Sequence, residues 1–148
     1  MSLITQILPP DNVLCGLDAD SKERLFEKIG LLFENNLHLP RKKVIDSLAA
    51  REKLGSTGLG HGIAIPHGRI KGLSVAAGAF VKLTAPIPFD APDGQPVGLL
   101  FFLLVPENAT DLHLQILGEL AQMFSNRQFR EKLQASSDPA EMHRLLTE

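Results

Sequence analysis

Cysteine is nearly absent, since the 148-residue chain contains one, Cys15. A single thiol closes no internal disulfide, so nothing points to an oxidising compartment and the cytoplasm is the expected location. No flanking charge favours its thiolate, and Cys15 reads as buried packing rather than as a nucleophile. An excess of charge of either sign is also missing: Lys and Arg number 15, Asp and Glu 17, and the formal net charge is -2. The densest basic stretch, Arg41-Lys42-Lys43, is short and sits at an expected helix start, far from the basic stripe of a nucleic-acid binder. The segment from Met1 to Asp11 has no basic start and no apolar core. No window approaches the ~20 apolar residues that a membrane helix needs. The glycines Gly55, Gly58, Gly60 and Gly62 lack a Gly-Lys-Ser/Thr ending, which argues against a Walker loop and against nucleotide binding. There is neither an internal repeat nor a low-complexity segment, which argues against a solenoid or an interaction tail.

What is present is the composition of an ordinary globular chain, 44% hydrophobic and 22% charged, at a length that suits one domain over residues 1–148. Leu25, Phe26, Ile29, Leu32 and Phe33 follow helical spacing, predicting a helix over Ser21 to Leu37 capped by Asp20 or Ser21. A second helix is predicted from Pro40 through Lys53, ended by Gly55. Ser56 to Gly62 reads as an irregular loop leading into a short apolar strand, Ile63-Ala64-Ile65, stopped by Pro66. Strands are predicted over Ser74 to Leu83 and Val97 to Val105, the latter apolar at nearly every position and so expected in mid-sheet. Helices follow over Asp111 to Ser125, Arg127 to Gln134 and Pro139 to Leu146. Mixed order of helices and strands predicts an α/β layered domain.

The stretch from Leu54 to Arg69 delivers His67 to a strand end behind a flexible polar loop, and ligands of α/β sheets bind at strand ends. Pro66 restricts the backbone ahead of the histidine, and Gly68 is expected to let another molecule approach the imidazole. By itself this tripeptide is weak, and a satisfied structural histidine is the commoner reading. A metal-dependent hydrolase using His61, His67 and His113 is disfavoured, because no His-Glu-x-x-His pattern is present and no carboxylate accompanies them in the loop. His38 and His143 read as surface or capping residues, and His61 receives no role.

The run Gly62-Ile63-Ala64-Ile65-Pro66-His67-Gly68, with the upstream Arg51-Glu52-Lys53-Leu54-Gly55-Ser56-Thr57-Gly58, resembles the active-site signature of enzyme IIA domains of the mannitol/fructose type. These belong to the phosphoenolpyruvate:sugar phosphotransferase system. The wording is most similar to the nitrogen-regulatory branch of that family. Asp111-Leu112-His113-Leu114 continues the likeness, placing a second histidine where the family carries its other active-site histidine. The resemblance implies a mixed, mostly parallel sheet flanked by helices on both faces. It implies that His67 accepts a phosphoryl group from the phosphohistidine of a small carrier, HPr or its relative NPr, and that Arg51 lies near the phosphoryl oxygens. Imidazole is nucleophilic at neutral pH and its phosphoramidate returns the group readily. Phosphoryl transfer is mostly positioning and charge stabilisation, so donors are expected around the site, with Ser56 and Thr57 as further candidates. His113, in the first turn of its helix, is expected to be neutral and to donate one hydrogen bond. No cofactor or metal is called for. The nitrogen branch further implies regulated targets such as potassium transport systems and sensor kinases. The competing expectation is a sugar-specific enzyme IIA feeding a separate IIB or permease component.

Overall fold

A computed structural model describes residues 3–109 and 111–148. The helices are α1 (Leu3–Ile7), α2 (Lys22–Leu37), α3 (Arg41–Lys53), α4 (Asp111–Ser125), α5 (Arg127–Ala135) and α6 (Pro139–Thr147). The strands are β1 (Val13–Leu17), β2 (Gly58–Gly60), β3 (Ile63–Ala64), β4 (His67–Ile70), β5 (Ala77–Ile87) and β6 (Val97–Pro106). Strand order is β1-β5-β6-β3-β2, with β4 also paired to β6. Three of the five pairings are parallel, β1 with β5 and both β3 and β4 with β6; β5 with β6 and β2 with β3 are antiparallel.

β6 lies in mid-sheet, as its apolar run predicts, and only Pro106 of its residues escapes full burial. Its side chains alternate between two cores. Leu100, Phe102 and Leu104 join Leu25, Phe26, Ile29 and Phe33 of α2 and Val44 and Leu48 of α3. Leu99, Phe101, Leu103 and Val105 meet α1, α4, α5 and α6 through Ile7, Ile116, Leu120, Leu133 and Met142. Helices thus cover both faces, and truncating a fully buried ring such as Phe102 to alanine should cost about 3–5 kcal/mol.

The expected helices form with ends shifted by a residue or so. Ser21 caps α2 by accepting the Arg24 N–H at 3.2 Å, the short-polar capping arrangement that its position predicts. His38 closes α2 in the left-handed region (φ 59°), its N–H reaching Glu34 and Phe33 carbonyls, a capping role as expected. His143 departs from expectation. Half-buried, its Nε2 lies 2.8 Å from the Leu8 carbonyl, tying α6 to the end of α1 rather than capping or decorating a surface. Cys15 is partly buried against the α1/α4–α6 core. β5 starts three residues later than the Ser74 expected and runs on to Ile87; its register slips between Lys82 and Ile87, and a bulged strand end tolerates Pro86, which has no N–H for the ladder. Among the described residues, no helix is long and apolar enough to cross a membrane.

Candidate active site

His67 is not left past the end of a strand as the sequence suggests. It opens β4, and β3 and β4 lie one after the other along β6, with Ile63 opposite Leu99 and His67 opposite Leu103. Pro66 interrupts the line because it has no N–H, yet its carbonyl still accepts from Leu103 N at 2.9 Å. Strand alternation sends His67 and Arg69 to one side of β4 and Gly68 and Ile70 to the other. Gly68 does something other than expected. A Cβ there would stand 2.0 Å from Ser47 Oγ, so the missing side chain admits α3, not an approaching molecule. Ser47 Oγ then donates to the Arg69 carbonyl at 2.9 Å. One helical turn beyond Ser47, this close packing brings Arg51 to the site.

His67 Nδ1 lies 2.8 Å from the Ile65 carbonyl. A carbonyl only accepts, so Nδ1 carries the proton and Nε2 the lone pair. The His113 ring, on the third residue of α4, is 5.2 Å away between centroids at 63°. Arg69 Nη1 donates to the Glu107 carbonyl at 2.9 Å, and Nη2 sits 3.4 Å from His113 Nδ1. His113 Nε2 is buried with no hydrogen-bond partner, the one such side-chain atom among the described residues. Burial, more than any other influence, pushes the His67 pKa below 6.5, its carbonyl bond and Glu52 opposing and the charges of Arg51 and Arg69 assisting. His113 is also held below 6.5, first by burial, then by His67, Arg69 and Arg51. Both shifts favour the neutral ring at pH 7, and Arg51 is near enough to influence each.

The remaining candidates scaffold the loop. Arg51 donates from one guanidinium nitrogen to the Gly55 carbonyl at 2.8 Å, leaving its other donors available. Ser56 Oγ donates to the Phe89 carbonyl at 2.8 Å, and Thr57 Oγ1 to Glu52 Oε1 at 2.6 Å. Both hydroxyl protons are thus committed within the protein, so in this conformation neither is free for the phosphate contact expected of Ser56 and Thr57. Glu52, whose side chain is only 7% exposed, also accepts from Thr57 N and from Lys22 Nζ at 2.9 Å. His61 sits in the turn between β2 and β3, where Gly60, His61 and Gly62 all have positive φ, a conformation glycine adopts readily. His61 N–H donates to Asp93 Oδ2 at 2.9 Å and its side chain is exposed. Sequence reasoning passed over Arg69 and Glu52. Alternation from His67 marks Arg69 once β4 is seen as a strand, whereas Glu52 carries no signal beyond its place after Arg51.

An imidazole lone pair on His67, a neighbouring His113 nitrogen without a partner and nearby guanidinium groups form a site for an anionic group. Comparison with known proteins agrees with that chemistry. The family "Phosphoenolpyruvate-dependent sugar phosphotransferase system, EIIA 2" matches residues 6–148. A "Nitrogen regulatory protein" of Pseudomonas aeruginosa is 40% identical, covering 100% of this chain and 97% of its own. One from Escherichia coli is 43% identical over 98% of this chain and 90% of its own. The crystal structure of nitrogen regulatory protein IIA-Ntr from Neisseria meningitidis superposes with a TM-score of 0.93 at 51% identity, over 99% of this chain and 100% of that one. The crystal structure of IIA mannitol from Escherichia coli shares the fold, with a TM-score of 0.77 at 22% identity over 93% and 97% of the two chains. With the family matched across nearly the whole length and the site's two histidine rings brought within 5.2 Å of each other, the chain belongs to the EIIA type 2 family of the phosphoenolpyruvate-dependent sugar phosphotransferase system.

Proposed function

We propose that this chain is a one-domain phosphocarrier of nitrogen-regulatory type that accepts a phosphoryl group on Nε2 of His67. The observation that carries the reading is the Nδ1–Ile65 carbonyl bond at 2.8 Å, which holds the proton on one nitrogen and frees the other. The Nε2 lone pair attacks phosphorus of a phosphohistidine on the donor, HPr or NPr. The donor's N–P bond breaks and its electron pair returns to the donor imidazole. The His67 ring, now substituted at both nitrogens, becomes positive, and the Ile65 carbonyl stabilises its remaining N–H. Negative charge spread over the phosphoryl oxygens meets the unpartnered Nε2–H of His113 and the free donors of Arg51.

A donor protein must cover this face. Leu112 and Leu114 flank His113, and Leu54, which is 85% exposed, follows the Arg51 turn. These side chains supply the apolar rim of a docking surface. Full-length identity to nitrogen regulatory proteins supports a regulatory output, with potassium transport systems or sensor kinases as targets, over a sugar-specific role with a IIB component. The test is intact-protein mass after incubation with phosphoenolpyruvate, enzyme I and HPr or NPr. Gain of one acid-labile phosphoryl group, lost in His67→Ala, is expected; no gain from either donor would overturn the reading.

A further inference from the structure

We propose that Arg69 is a positioning residue that fixes His113 as a hydrogen-bond donor facing His67, by occupying His113 Nδ1 and so confining the ring's proton to the unpartnered Nε2. The consequence for transfer rests on the phosphocarrier reading; the geometry does not. A neutral imidazole has one N–H and one lone pair, and the partner of either nitrogen decides which is which. Guanidinium has donors and no acceptor. With Arg69 Nη2 at 3.4 Å from His113 Nδ1, a proton on Nδ1 would set two donors against each other, and the ring resolves this by carrying its proton on Nε2. That nitrogen is buried without a partner. A buried N–H left unpaired is costly and calls for an explanation, and a phosphoryl oxygen carried on His67 Nε2 is the acceptor it lacks. The opposite tautomer would turn a lone pair toward the phosphoryl oxygens and repel them.

Placement strengthens the case. Arg69 stands two residues after His67 on β4, on the same side of the strand. Its other nitrogen donates to the Glu107 carbonyl at 2.9 Å, just past the end of β6 and ahead of α4. One side chain therefore links the strand of the nucleophile to the segment leading into the helix of His113, and aligns the two rings across 5.2 Å. The same guanidinium charge also disfavours protonation of His113, keeping a single N–H on the ring.

The experiment is 15N NMR of histidine-labelled, unphosphorylated protein at neutral pH, for wild type, Arg69→Met and Arg69→Lys, alongside transfer rates from a phosphorylated donor. In the wild type, His113 should show a protonated Nε2 and a bare Nδ1. Arg69→Met should admit the Nδ1–H form and slow transfer on the order of tenfold, less than outright removal of a donor costs, while Arg69→Lys restores both. A wild-type ring protonated at Nδ1 would overturn the proposal, and that spectrum depends on no variant folding. Slower transfer in Arg69→Met with an unchanged ring would make Arg69 a direct phosphate contact and overturn positioning. An altered ring at wild-type rate would overturn it as well. If no protein accepts phosphate, the phosphocarrier reading fails while the spectra still report on the Arg69–His113 relation.

Discussion

The loop from Leu54 to Gly62 and the pair of histidines beside it are built on opposite principles. In the loop the polar groups are matched, partly buried ones and exposed ones alike: Ser56 to Phe89, Thr57 to Glu52, Glu52 to Lys22, and the exposed His61 N–H to Asp93. At the histidines two capacities are left open, the lone pair on His67 Nε2 and the unpartnered Nε2 of His113, to which the proposal assigns a proton. A satisfied network rigidifies and an unsatisfied buried group is a strain held for a purpose. The loop holds; the histidines act.

The largest expected effect is at the open side of this contrast. His113→Ala should slow phosphoryl acceptance by roughly 10²–10³-fold, the usual effect of losing one preorganised donor, with the fold intact by circular dichroism. Wild-type rates in single-turnover assays would erase the distinction between the two regions. On the satisfied side, Glu52→Gln leaves Lys22 and Thr57 with a weakened partner and should cost about 1–3 kcal/mol in urea unfolding. An unchanged midpoint would show that the loop does not depend on its buried carboxylate. Ser56→Ala removes a single matched hydroxyl, should cost about 1 kcal/mol, and should leave transfer within a few-fold of wild type. A much larger loss of rate would return Ser56 to the phosphate.

The smallest effect is in pH dependence. Both histidines have folded pKa values below the ordinary 6.5, so as pH falls below 6.5 the unfolded chain binds protons that the folded one resists. Their contribution is fully present above 6.5 and is lost toward the lowered folded values. Stability should therefore decline on acidification through this window, and His113→Gln should flatten the decline. A slope of opposite sign would mean that the rings are charged in the fold.

Much of this was legible in the sequence, for identifiable reasons. Helical periodicity located α2 to α6, and the apolar run Val97 to Val105 marked β6 as central. The resemblance of the stretch around His67 to enzyme IIA signatures brought Arg51 and His113 into one reading although α4 is remote in sequence. What was missed depends on pairing with other segments. Leu3–Ile7 and Val13–Leu17 are too short for a period, and β2 hides among glycines that read as loop. β4 hides behind Pro66, because only β6 shows that the strand resumes. With β4 unseen, Arg69 had no face to share with His67, and Gly68 was assigned to ligand access when its neighbour is Ser47. Ser56 and Thr57 were candidates for phosphate contact, and their partners Phe89 and Glu52 were not legible because they are set by the fold of the loop.

The most direct test of the account is the chemical identity of the phosphorylated nitrogen, read by 15N and 31P NMR on the protein after transfer from its donor. The account predicts phosphorus on Nε2 of His67, with Nδ1 still protonated toward Ile65. Phosphorus on Nδ1, or on His113 or His61, would contradict it.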